Sequence, residues 1–138
     1  MKKLNNKGFS LVELIIVIAI MVILVAVLAP MFTKWVERSR IGTDVQNASE
    51  IATAAQVAYA EKGTGFTKGS VGASAVGSGN YLSSMTSAPT IKSSATGTVG
   101  GNFQLEVTTD GVVTVWADNG TTELFPTLDA TLEGKTHD

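Results

Sequence analysis

The chain has 138 residues, one domain's length, and its formal charge of −2 conceals a split. Through Arg40 it carries Lys2, Lys3, Lys7, Lys34, Arg38 and Arg40 against only Glu13 and Glu37, whereas from Ile41 onward four lysines face ten acids. An acidic distal part argues against nucleic-acid binding, which needs clustered Lys and Arg on phosphates, and the absence of cysteine excludes disulfides and thiolate metal sites.

The first element is a short basic stretch, "MKKLNNKG", followed by an apolar run that takes on one acid, Glu13, almost at once. From Leu14 to Phe32 nineteen residues pass without a charge, which reads as a transmembrane helix. The lysines before it place its start on the cytoplasmic side, with Lys34, Arg38 and Arg40 competing from the other end. An ordinary secretory signal peptide fits worse: the apolar run is too long, and the small-residue site "VLA" runs straight into Pro30. A carboxylate within a membrane helix is costly and so a functional candidate. Glu13, however, lies in the first turns, where the helix dipole favours an anion and headgroups or water reach it. Physics alone therefore leaves both a tolerated interfacial acid and a functional one open.

The stretch "KGFSLVELIIVIAI", Lys7 to Ile20, resembles the amino-terminal signature of type IV prepilins and pseudopilins. The resemblance implies cleavage by a prepilin peptidase between Gly8 and Phe9, N-methylation of the new first residue Phe9, and a role for Glu13 in filament assembly by pairing with the terminal amine of a neighbouring subunit. An unpartnered buried charge costs several kcal/mol, so such a pair would fix subunit register. The resemblance also puts a helix kink at Pro30. Val22 departs from the pattern, standing where many pilins have a helix-loosening glycine.

Past Pro30, Ile41, Val45, Ala48, Ala52, Ala55 and Tyr59 recur at helical spacing, with Asp44, Gln46, Asn47, Glu50 and Glu61 mostly off that stripe. One helix is expected from about Phe9 to Lys62, ended by Gly63 and bent at Pro30. Its transmembrane, polymerising half covers 9–32 and its amphipathic half 33–62, after a leader at 1–8. Between Gly63 and Gly101, 27 of 39 residues are Gly, Ser, Thr or Ala, a surface-loop composition in which Tyr81 and Leu82 are the expected anchor.

The region 102–138 reads as an antiparallel sheet. Phe103, Leu105 and Val107 alternate, Asp110-Gly111 marks a two-residue hairpin, Val113 and Val115 return, and Asn119-Gly120 turns into a third strand before Pro126. The tail is either a short strand or a loose end. The expected fold is α+β: a long kinked amino-terminal helix packed on a small antiparallel sheet, the arrangement of a pilin head.

Catalytic chemistry has little to stand on: the sole histidine, His137, is next to the last residue, and no nucleophile set, phosphate loop or metal-spaced cluster occurs. Asp110, Asp118, Asp129 and Glu133 suggest calcium less well than turns and surface acids. The expectation is thus no enzyme, cofactor or metal, but a structural subunit of a type IV pilus-like surface filament. It would be a single-pass protein of the inner or cytoplasmic membrane before assembly and extracellular, at the cell surface, afterwards. Its partners would be copies of itself, the prepilin peptidase, and the pilus assembly platform and ATPase system. The alternative is a major pseudopilin of a type II secretion or competence system.

Overall fold

Helix α1 runs from Leu11 to Lys62 without interruption. The structure, a computed structural model, describes residues 8–63, 66–76 and 82–136. After α1 come strands β1 (Phe66–Ser70), β2 (Gln104–Val107), β3 (Val113–Trp116) and β4 (Glu123–Phe125), then a short helix α2 (Ala130–Thr136). The α+β class expected from the sequence is what forms. Gly63 ends α1 as expected: with φ at 65° it turns left-handed, and its N–H donates to the Tyr59 carbonyl at 2.7 Å, a glycine C-cap.

The chain divides into two compact units, Met1–Trp35 and Val36–Asp138. In the first, every described residue is exposed. Leu24 is 55% and Phe32 67% accessible, and an 18-residue window of mean hydropathy 3.4 has none of its residues buried. Burial of apolar surface is worth about 25 cal/mol per Å², so a helix this apolar and this bare needs lipid or another protein around it. Pro30 sits inside α1, and the Thr33 hydroxyl donates to its carbonyl at 3.0 Å.

The second unit holds the core. Its sheet has the order β1-β2-β3-β4, each neighbouring pair antiparallel. Pairing of Leu105 with Val115 and of Val107 with Val113 sends one face of β2 and β3 inward. Phe103, Leu105, Val107, Val113, Val115 and Leu124 join Ala48, Ile51, Ala52 and Ala55 of α1 in one buried cluster. Alanine dominates the helix side, which lets the larger side chains of the sheet fill the interior at close range.

Several sequence expectations change here. The tail is a helix, with Asp129 at its amino end accepting the Thr131 amide at 2.8 Å, an N-cap. The region composed like a surface loop contributes β1 and also buries Val71, Val76, Leu82 and Ile91. Leu82 is the expected anchor; Tyr81 lies outside the described residues. The expected two-residue turn at Asp110-Gly111 is a longer one. Thr108 pairs with Val112, and the Gly111 N–H returns to the Thr108 carbonyl at 3.0 Å. Gly111 has φ 81°, so the loop is Thr109-Asp110-Gly111 with glycine in the left-handed position.

Candidate functional site

Two sets of polar contacts stand out, one at the start of α1 and one on the head. At the start, Gly8, Phe9 and Ser10 are non-helical and exposed, Phe9 at 92%. The Ser10 carbonyl accepts the Leu14 amide at 3.2 Å, the first helical bond, which makes Ser10 the N-cap and Glu13 the third helical residue. Glu13 reaches back: its Oε2 accepts the Ser10 N–H at 2.8 Å. This is one half of a capping box, the Ser-x-x-Glu pattern in which the acid satisfies an orphan amide at the helix start. That pattern is legible in "SLVE", yet the resemblance draws attention to Glu13 and passes over Ser10.

Of the sequence-singled residues, Gly8, Phe9 and Glu13 thus fall within one exposed helix start, while Pro30 lies in the interior of α1. The Gly8–Phe9 bond stands in irregular, accessible backbone with no heavy atom crowding Gly8.

On the head, two acids of α1 hold the segment after Ile91. Asp44 is completely buried, and its two oxygens accept the backbone amides of Lys92 at 2.7 Å and Ser93 at 2.8 Å. Glu37 Oε1 accepts the Ser93 hydroxyl at 2.6 Å, the Ser94 hydroxyl at 3.2 Å and the Ala95 amide at 3.2 Å, while Arg40 approaches Oε2 at 3.7 Å. The Ser93 hydroxyl, then the Ala95 amide, Ser94 and Arg40, hold the Glu37 carboxyl below its ordinary range against the opposing effect of burial. Contrary to the expectation that the polar residues lie mostly off the stripe, Asp44 is buried within it. Ile41, Asp44, Ala48, Ile51, Ala55 and Ala58 are all buried on one helix face, and the alternating steps of three and four between them are the signal that includes Asp44.

Asp118 and Asp129 hold local backbone as well. Asp118 accepts the Thr98 amide at 3.1 Å, and its contacts with the side chain and amide of Thr98 lower its pKa. Asp129 is lowered by the Thr131 hydroxyl and amide that it caps. Among the described residues no group of three or more His, Cys, Asp or Glu is placed to hold a metal ion; His137 lies outside them.

Residues 3–29 match the family described as the prokaryotic N-terminal methylation motif. This is the type IV pilin and pseudopilin signature. The family consists of structural subunits and not of enzymes. Its motif implies processing by a prepilin peptidase and polymerisation with copies of the same chain. With the bare apolar helix, it supports membrane anchoring before assembly. No curated protein and no solved structure matches the chain.

Proposed function

We propose that this chain is the structural subunit of a type IV pilus-like surface filament, most like a major pilin. The observation that carries the reading is an apolar half-helix with no residue buried, headed by the methylation motif. A prepilin peptidase removes residues 1–8 by cutting between Gly8 and Phe9, and Phe9 is methylated. Residues 9–32 hold the subunit in the inner or cytoplasmic membrane and afterwards pack against other copies in the filament core. Pro30 bends the helix there, since proline removes one helical hydrogen bond and crowds the preceding turn. Residues 33–62 carry the head built from 63–101 and 102–138. Glu13 pairs with the Phe9 amine of a neighbouring subunit. The assembly platform and its ATPase supply the work, and the assembled filament lies outside the cell.

Shearing filaments from the cell surface and identifying their main protein tests the reading. Long filaments built mainly of this chain are expected. Cells with no long filaments, but a short envelope-spanning one containing this chain, would replace it with the pseudopilin reading.

A further inference from the structure

The segment after Ile91 closes in a tight turn with an apolar tip. The Gly101 N–H returns to the Thr98 carbonyl at 2.8 Å, and Gly100 has φ 84°, the pattern of a type II turn with glycine in its left-handed place. Three contacts brace it. The Ile91 N–H donates to the Gly101 carbonyl at 3.0 Å, the Gly100 N–H donates to the Ile91 carbonyl at 2.8 Å, and Asp118 accepts the Thr98 amide at 3.1 Å. Val99, within the turn, is 59% exposed. One exposed valine is ordinary on a surface, but a valine held in a braced turn meets a partner at little ordering cost. Lys92, also exposed, follows directly on Ile91, the residue to which the turn is bonded.

The same compact unit holds a groove of about 490 Å³ where α1 meets residues 84–87. Ala54, Val57 and Met85 line it with apolar surface, Glu50 is its one charge, and the remaining lining residues are serines and threonines. Glu50, Ala54 and Val57 follow one another at steps of four and three, so the acid and the apolar patch lie along one helix face. A cavity of ~150 Å³ takes a benzene, so this groove has room for a valine and the stem of a lysine. The turn does not line the groove of its own chain. Charge matches too: among the described residues the Glu50 carboxylate meets only the Gln46 amide, at 3.5 Å, and the Lys92 ammonium only the Thr90 hydroxyl, at 3.1 Å.

We propose that the Thr98–Gly101 turn of one copy seats in this groove on a second copy, with Val99 on Ala54, Val57 and Met85 and the Lys92 ammonium on Glu50. This rests on the reading that the chain builds a filament. A knob and a groove on different parts of one molecule make a heterologous contact, which repeats from copy to copy as an open helix unless the rotation closes a ring. The apolar contact excludes water from the centre of the groove, while the Lys92–Glu50 pair at its edge fixes which way round the turn enters.

The chain has no cysteine, so introduced cysteines report on this contact alone. Val57→Cys and Val99→Cys subunits, each altered at an exposed position, are co-expressed, and sheared filaments are oxidised and separated without reductant. A disulfide-linked dimer is expected when both variants are present and not with either one alone. Filaments that contain both variants yet give no dimer would overturn the proposal, and so would a dimer from Val99→Cys alone, which would set turn against turn. Filament yield tests the charge pair. Lys92→Glu and Glu50→Lys are each expected to lower it roughly fivefold, the upper range for an exposed ion pair, and to restore it when combined in one chain. Wild-type yield from both single variants, or a combined variant no better than they are, would overturn the pairing. Failure of the underlying reading looks different: wild-type cells carrying no polymer of this chain, at any length, would remove the filament and this interface together.

Discussion

Ser93 is gripped by two acids of the same helix: its amide by Asp44 and its hydroxyl by Glu37, at 2.8 and 2.6 Å. A segment composed almost entirely of small residues is thereby tied to α1 through hydrogen bonds to its backbone and hydroxyls, contacts that need no bulky side chain of its own.

Removing the Asp44 carboxylate strands the amides of Lys92 and Ser93. Each unsatisfied buried donor costs about 1 to 3 kcal/mol, so Asp44→Ala is expected to destabilise the head by roughly 3 kcal/mol, measured as denaturant unfolding of the full chain in micelles. A loss under about 0.5 kcal/mol, the range of ordinary surface substitutions, would show that the clamp contributes nothing.

The head should also weaken in acid. Glu37, Asp118 and Asp129 all have folded pKa values below their ordinary values of 4.5, 3.8 and 3.8. Their contributions are complete above those ordinary values and are lost as pH falls through the lower folded ones. Melting temperature is therefore expected to be flat above about pH 5 and to fall below it, with Glu37→Gln showing a shallower fall. An identical acid limb in Glu37→Gln would remove Glu37 from the explanation.

Tyr59 braces the first hairpin. Its hydroxyl donates to the Thr109 carbonyl at 2.7 Å, and a Cβ on Gly111 would lie 2.8 Å from its ring. A left-handed φ costs a non-glycine residue roughly 1 to 2 kcal/mol, and Gly63→Ala, in open space at φ 65°, should lose only that. Gly111→Ala should lose more, since the ring must shift as well; equal losses in chemical unfolding would mean that the ring contact is inconsequential.

Thr96 is 1% exposed, and among the described residues its hydroxyl is the buried side-chain oxygen without a partner. Thr96→Val removes that group at constant shape and should stabilise the head by about 1 kcal/mol, because an unpaired buried hydroxyl is a net cost. A loss of stability on thermal unfolding would show that the hydroxyl is bonded after all.

Much of this was legible in the sequence where period and burial agree. The alternation through Phe103, Leu105 and Val107 places the inner face of the sheet, and Gly63 ends the helix. The same logic fails for β1, because "FTKGS" has no alternation of large apolar residues and derives its strand state from pairing with β2. It fails again for Asp44, because hydrophobic patterning counts an acid as outward; only its place in the three-and-four stepping shows it inside. At the helix start, Glu13 is legible as a charge in an apolar run. Its contact with Ser10 follows from a different local rule, the capping box, which hydropathy does not register.

The most direct test of the central claim is the mass of the mature amino terminus, measured on protein recovered from the cell surface. The proposal predicts a chain beginning at N-methylated Phe9, with residues 1–8 removed. A chain that retains Met1, or one cut after Ala29, would contradict it.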